Sequence, residues 1–327
     1  MPEKVKIAYE RIGIITNPLS GRIKNNVSTF KNLALSIPGA IYREACNQPE
    51  FERVVLEFAE YQIDLLVILA GDGTIHGLLS IILSKQTLSP IPKFAFIPAG
   101  TTNMTAKDFN TFGHPEKVLE KLKKLLEDKQ AYTFVDRSVL CVRHGDDVPR
   151  HGMFFGTGII ADGVKYFQKR VRRTGITGEK ASAIVLLRYL FFLLSGRSDT
   201  ANENVKIHIQ TNIDEGKEED SLLIFATCLE RLLLGMRPYW GQQEKQIHST
   251  FVQQSPRKLW RSILPLLTGK GRGLSPSDGY RSDNLSSLIL TMTGDYIIDG
   301  EVYSADQRKG KVYISADDSI SVMELKI

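Results

Sequence analysis

Residues 64–74, DLLVILAGDGT, restrict the fold more than any other stretch of the chain. An apolar run from Leu65 to Leu69 enters a turn with glycines at Gly71 and Gly73. This is the pattern of a buried strand opening onto a phosphate-binding loop. Glycine leaves no Cβ in the way of close backbone approach and tolerates positive φ, so consecutive amides can converge on an anion. Asp72, between the two glycines, would repel a phosphate unless a cation intervenes, which points to a nucleotide bound with Mg²⁺. Beyond Thr74, the apolar residues Ile75, Leu78, Leu79 and Ile82 recur at helical spacing. Thr74 is therefore expected as the N-cap of a helix whose N-terminus faces the phosphate. Taken alone, Gly-Asp-Gly also makes an ordinary turn.

Two further loops strengthen the phosphate reading. The strand-like run Arg11–Thr16 stops at Asn17-Pro18-Leu19-Ser20-Gly21, where Pro18 prevents continuation of a ladder. Lys93–Ile97 forms a third apolar run, followed by Pro98-Ala99-Gly100-Thr101-Thr102-Asn103. All three loops follow apolar strands in an alternating strand–helix pattern, and open α/β sheets bind ligands at that edge. The alternation continues with a helix near Val27–Ser36, a strand at Ala40–Arg43, a helix from about Pro49 to Gln62 and another at Pro115–Asp128. Phe51, Val54, Val55, Phe58 and Ala59 give the second of these helices one apolar face, and Val118, Leu119, Leu122, Leu125 and Leu126 give the last. Residues 1–133 are thus predicted to be a doubly wound, Rossmann-like nucleotide-binding domain.

From residue 134 to 327 the pattern changes to strand-like runs separated by turns: TFVDRSVLCVR, GMFFGTGII, VKIHIQT, SLLIFATCL, SLILTMTG and KVYISADDSISV. They predict an antiparallel β domain resembling a sandwich, with Asn212–Asp220 as an acidic hairpin loop. Two basic, apolar segments interrupt it. One carries Lys165, Lys169, Arg170, Arg172, Arg173, Lys180, Arg188 and Arg197, and the other, Pro256–Arg272, carries Arg257, Lys258, Arg261, Lys270 and Arg272. Their apolar residues either pack onto their own domain or dock on anionic lipid.

Charge narrows the partners. Lys+Arg 42 against Asp+Glu 37 leaves +5, which suits solubility or weak attraction to anionic membranes and not dedicated nucleic-acid binding. Neither basic segment interleaves aromatics along a stripe, as a nucleic-acid surface would. Cys46, Cys141 and Cys228 are far apart without a CxxC, and His114, His144, His151, His208 and His248 form no metal-ligand spacing. The cysteines are expected as reduced thiols in a cytosol. No Gly-x-Ser-x-Gly supports a hydrolase. The N-terminus lacks an apolar signal region, and the apolar stretch Ile184–Leu194 is broken by Arg188 and too short to span a bilayer.

NPLSG at Asn17–Gly21, GDGT at Gly71–Thr74, PAGTTN at Pro98–Asn103 and DGE at Asp299–Glu301 resemble, in order, the four signatures of the diacylglycerol kinase catalytic superfamily. That group includes bacterial soluble lipid kinases and sphingosine kinases, with NAD kinases and phosphofructokinases as more distant relatives. The resemblance runs from about Arg11 to Ser304 and is loose between Gly163 and Asp283. NAD kinases typically lack the Pro-x-Gly-Thr-x-Asn signature, so Pro98–Asn103 favours the lipid-kinase branch.

The resemblance implies ATP and Mg²⁺ as cofactors and assigns roles. Asn17, Pro18, Ser20 and Gly21 would lie near the phosphates or ribose. Gly71, Asp72, Gly73 and Thr74 would cradle the phosphates, with Asp72 holding Mg²⁺ directly or through water. Gly100, Thr101 and Asn103 would follow at the next strand end, the last two as hydroxyl and amide donors. Glu301 or Asp299 would accept the proton of the attacking hydroxyl, with Glu301 preferred. Where many members have glycine this chain has Ala70, and where they have Asn-Glu it has His76-Gly77, His76 being read as a hydrogen-bonding spectator. The paired aspartates of a structural Mg²⁺ site are missing from Tyr239–Lys245.

The expected function is an ATP- and Mg²⁺-dependent kinase acting on a diacylglycerol-like lipid at a membrane surface, cytoplasmic and peripheral at the inner membrane face. A homodimer is left open, and no nucleic-acid partner is expected. The alternatives are a kinase for another hydroxyl acceptor, NAD or a sphingoid-like base, and a nucleotide-binding regulatory protein without turnover.

Overall fold

The computed structural model describes residues 4–5, 9, 11–128, 132–174, 206–212, 216–271 and 273–326. The chain forms two compact units, one of Met1–Arg137 with Ser319–Ile327 and one of Ser138–Asp318.

The first unit is built on β1 (Lys4–Val5), β2 (Ile12–Thr16), α1 (Val27–Leu35), β3 (Ala40–Glu44), α2 (Gln48–Glu60), β4 (Leu65–Ala70), α3 (Asp72–Lys85), β5 (Lys93–Pro98), α4 (Met104–Asp108) and α5 (Pro115–Glu127). Its core sheet is parallel in the order β3-β2-β4-β5. Every residue of β2 and β4 is buried, which is why these strands read as unbroken apolar runs and not as alternations. On one face Ile12, Ile14, Val67 and Ala95 share a cluster with Phe30 of α1 and Val118 and Leu122 of α5. On the other, a Cβ on Gly13 would lie 2.8 Å from Ile63 Cδ1 and 3.0 Å from the Phe58 ring, so α2 covers that side. Helices on both faces make the unit doubly wound. The Asn47 side chain starts α2 by accepting from the Glu50 amide at 3.1 Å, with Pro49 in the first turn.

The expected boundary at residue 133/134 is moved at both ends. Residues 319–327 belong to the first unit, where Val322 pairs in parallel with Phe94 of β5 and Met323 and Leu325 are buried in its core. The Glu324 amide donates to Thr133 O at 2.9 Å. The alternation of apolar residues at the end of the chain needs a sheet to bury them, and the edge of β5 supplies it.

The second unit takes up β6 (Tyr132–His144), which starts in the first, then β7 (Arg150–Gly152), β8 (Phe154–Gly158), α6 (Ile159–Thr174), β9 (Lys206–Thr211), β10 (Lys217–Thr227), β11 (Ile247–Gln253), α7 (Leu259–Thr268), β12 (Tyr280–Leu285), β13 (Ser287–Thr291), β14 (Gly294–Ile298), β15 (Glu301–Ala305) and most of β16 (Val312–Met323). One antiparallel sheet runs β15-β14-β8-β10-β11-β12. The other contains β10, β9, β13 and β16 in sequence, with β6 and β7 beyond. β10 serves both: Lys217–Asp220 pairs with β9, and the rest pairs with β8 and β11. Phe155, Ile224, Phe251 and Tyr296 from the first sheet meet Leu140, Ile209, Leu288 and Ile314 from the second in one core.

Several expectations shift here. The run GMFFGTGII ends as a strand at Gly158, and Ile159 and Ile160 begin α6. The acidic loop is shorter than Asn212–Asp220, since Lys217–Asp220 is already paired strand, Lys217 opposite Ile209. Strands β7, β11, β12 and β15 extend the predicted set, their mixed polar and apolar residues giving no clean alternation, while β14 carries the strand-like run Tyr296-Ile297-Ile298 that leads into Asp299. Side chains from Arg170 to Thr174 and all of residues 175–205, which hold most of the first basic segment, lie outside the described residues. Among the described residues no helix is long and apolar enough to cross a membrane.

Candidate functional site

The three glycine-containing loops of the first unit are joined to one another. Loops 71–74 and 98–103 meet backbone to backbone: a Cβ on Gly100 would lie 2.4 Å from Gly71 Cα, and one on Gly71 would lie 2.9 Å from Gly100 Cα. Neither Gly71 nor Gly73 has a positive φ. The requirement for glycine at 71 and 100 is therefore close approach, not left-handed backbone.

Asp72 ties the same two loops through charge. Its Oδ2 accepts from Thr102 Oγ1 at 2.7 Å and from the Met104 amide at 3.0 Å, and its Oδ1 accepts from the Thr105 amide at 2.9 Å. The carboxylate thus caps α4 from another loop, satisfying amides that a helix start leaves unpaired. Three donors on a buried carboxylate leave little of it for direct coordination of a metal.

The first loop closes against the second. Asn17 Nδ2 donates to Thr74 Oγ1 at 2.9 Å while its Oδ1 accepts from the Leu19 amide at 3.0 Å. A Cβ on Gly21 would stand 3.6 Å from Thr101 Oγ1, an ordinary contact. Pro18 is half-buried in this turn, Ser20 is buried, and Gly21 and Thr101 are exposed.

Two expected roles change. Thr74 is not the N-cap of α3; the helix starts at Asp72 with Gly71 in that position and no side chain capping it. The amides of Asp72 and Gly73 therefore have no intrahelical acceptor, at the N-terminus of a 14-residue helix. Asn103 is 1% exposed at φ 50°, and its amide group closes its own loop. Its Oδ1 accepts from the Gly100 amide at 2.7 Å and its Nδ2 donates to Gly100 O at 2.8 Å. Its side chain shapes the loop and is not left over for a ligand.

Arg22 and Lys107 were not singled out from the sequence, yet both stand beside these loops. Arg22 Nη1 donates to Pro98 O at 3.4 Å and Gly113 O at 3.2 Å, and its amide donates to Ala99 O at 3.0 Å. Burial lowers the pKa of Lys107, the Arg22 cation lowers it further, and Asp72 opposes them. Burial lowers the pKa of Arg22 as well. Two partly desolvated cations next to an uncapped helix start form a positive, donor-rich surface suited to phosphate. The cue in the sequence was position: Arg22 directly follows Gly21, and Lys107 lies one helical turn past Asn103. His76 is buried in the first turn of α3, and a Cβ on Gly77 would touch the Phe51 ring at 3.4 Å, so this pair lies where α3 meets α2.

In the second unit, Asp299 and Gly300 are the two central residues of the β14–β15 hairpin, with φ of 47° and 88°. Positive φ at both positions is the turn that Asp-Gly favours. Asp299 is 7% exposed, with Oδ2 accepting from the Met153 amide and Oδ1 from the Phe154 amide, each at 2.9 Å. The Asp299 amide donates back to Phe154 O at 3.0 Å. Gln168 Nε2 of α6 donates to Gly300 O at 2.8 Å. Glu301, which opens β15, is exposed. Of the two carboxylates, Asp299 is committed to anchoring the turn and Glu301 is accessible.

Residues 11–132 match the diacylglycerol kinase catalytic domain family. No curated protein matches the chain. The fold is similar to the crystal structure of a diacylglycerol kinase from Bacillus anthracis Sterne, with TM-score 0.60, 15% identity, and 98% of each chain covered. A candidate diacylglycerol kinase from the same strain aligns with TM-score 0.63 and 15% identity over 98% of this chain and 99% of its own. Another aligns at 0.61 and 16% over 97% and 98%. At such identity the likeness establishes the fold alone, and the family match is confined to residues 11–132.

Proposed function

Taking the diacylglycerol kinase catalytic domain of residues 11–132 as the premise, we propose that this chain transfers the γ-phosphate of ATP to a lipid hydroxyl. The observation that carries the proposal is the joining of three strand-end loops through Gly71–Gly100, Asp72–Thr102 and Asn17–Thr74. Phosphoryl transfer needs positioning and charge neutralisation more than covalent chemistry. The amides of Asp72 and Gly73 and the hydroxyls of Ser20 and Thr101 would take phosphate oxygens, and Arg22 and Lys107 would add positive charge. Asp72 fits Mg²⁺ through water, because three donors already engage its oxygens and Mg²⁺ usually keeps several of its waters. When bound, the ion would neutralise charge on the transferred group. Glu301 would accept the proton of the acceptor hydroxyl, and Asp299 would hold the hairpin that carries Glu301.

A lipid acceptor is supported by α7. The helix buries Ser262 and Leu266 but leaves Trp260 59% and Leu264 70% exposed, beside the exposed cations Arg257, Lys258 and Arg261. Apolar bodies among cations suit an anionic lipid interface. The test is transfer of label from γ-labelled ATP to diacylglycerol in mixed vesicles with Mg²⁺. Labelled phospholipid is expected; label in NAD and none in lipid would replace the lipid reading.

A further inference from the structure

Cys141, His151 and Asp318 are separated in sequence but assembled in the second unit. Cys141 on β6 lies directly opposite His151 on β7 in the antiparallel register, and Asp318 lies on β16, the neighbour of β6 on its other side. One ligand-type atom from each residue lies within 4.8 Å of the others. His151 Nε2 is 3.0 Å from Asp318 Oδ2. Cys141 and His151 are buried, while the Asp318 side chain is partly exposed, so the cluster has a dry interior and one side open to solvent.

We propose that these three residues bind a divalent transition-metal ion of the Zn²⁺ class and fasten β7, β6 and β16 together. Thiolate, imidazole and carboxylate are the three ligand types that Zn²⁺ takes in proteins, and its tetrahedral sites set the spacing. Zn–S of about 2.3 Å and Zn–N or Zn–O of about 2.0–2.1 Å place ligand atoms roughly 3.3–3.6 Å apart. The observed cluster reaches that spacing by a contraction of roughly 1.2 Å at most at the Cys141 sulfur, with a slight opening of the His151–Asp318 contact. On binding, the Cys141 thiol proton leaves to solvent, the imidazole ligates as the neutral ring, and Asp318 ligates as carboxylate. The other charges acting on Cys141 are Arg143 and Asp317, of opposite sign. The spacing of the histidines and cysteines along the chain excluded such a site; register and strand order create it.

The test uses the full chain stripped of metal by chelation, in a Cys46→Ser/Cys228→Ser background that keeps Cys141 as the sole thiol. Titration with Co²⁺ should saturate at one equivalent and produce a near-ultraviolet thiolate-to-cobalt charge-transfer band. Zn²⁺ should displace it and raise the melting temperature. Cys141→Ser, nearly the same size, should lose the band and the thermal shift. Asp318→Asn, at a partly exposed position that should still fold, should weaken affinity by at least about tenfold, since even outer-shell partners cost about 10–100-fold. Folding of each variant is checked by circular dichroism. A missing charge-transfer band in the sole-thiol protein, or unchanged Co²⁺ affinity in Asp318→Asn, would overturn the three-ligand site.

Discussion

Gly100→Ala tests the joined loops most directly, because the structure sets the size of the effect. The new Cβ would lie 2.4 Å from Gly71 Cα, 3.1 Å from Asn103 Oδ1 and 3.3 Å from Gly71 N. Non-bonded carbons rest at about 3.5–4.0 Å, so the two loops must part by roughly 1–1.5 Å. Overpacking of this kind costs about 1–3 kcal/mol. At about 2–4 °C per kcal/mol for a unit of this size, the melting temperature should fall by roughly 2–12 °C. The functional effect should be larger, because a misplacement near 1 Å can cost about 10²-fold. If the parent is held with ATP and Mg²⁺ at about 100 times its dissociation constant, ligand adds about 2.7 kcal/mol of stability. A hundredfold weaker variant in the same solution gains only about 0.4 kcal/mol. Melting curves with and without nucleotide should therefore show a rise of several degrees in the parent and almost none in Gly100→Ala. The control is Gly77→Ala, whose Cβ would meet Phe51 at 3.4 Å, close to ordinary contact, inside α3. Alanine in a helix gains about 0.5–1 kcal/mol over glycine, so that variant should keep both stability and the nucleotide response. A folded Gly100→Ala protein with the parent's ATP-dependent rise would refute the proposed site.

Asp72→Asn keeps the shape but sets an amide against one of the three donors its carboxylate now accepts; it should cost about 2–4 kcal/mol and weaken the Mg²⁺-dependent part of nucleotide binding, and full activity at low Mg²⁺ would remove its metal role. Glu301→Gln should retain ATP binding and stability while lipid phosphorylation drops by about 10²–10⁴-fold, as measured by label transfer; turnover at the parent rate would exclude it as the base. Asp299→Asn should instead lower the melting temperature, because one of the Met153 and Phe154 amides would then face a donor at a cost of about 1–3 kcal/mol; a thermally unchanged variant with lost turnover would give Asp299 the base role. Arg257→Glu with Arg261→Glu should reduce sedimentation with anionic vesicles at unchanged stability, with salt reproducing the effect because exposed charges are screened; sedimentation insensitive to both would return α7 to ordinary surface.

The first unit was legible from the sequence because its determinants are local. The continuous apolar runs of β2 and β4 require burial on both faces, and the 3.6-residue stripe of α2 has one face to bury. Glycine at the ends of such strands marks a backbone that must come close to something. What it comes close to was not legible: Gly71 meets Gly100, and Asp72 spends its charge on Thr102, Met104 and Thr105, about thirty residues on. From the sequence Asp72 looked like a free carboxylate, and in the structure its donors make it a tie. The same distinction separates Asp299 from Glu301, two residues apart in the Asp-Gly-Glu motif but one anchored by two amides and the other exposed. Strand order decided the rest. The return of residues 319–327 to the first unit and the meeting of Cys141 with His151 and Asp318 both depend on which strands become neighbours. Pairing energies depend on side chains brought together only in the folded sheet, so periodicity along the chain specifies the strand and not its partner.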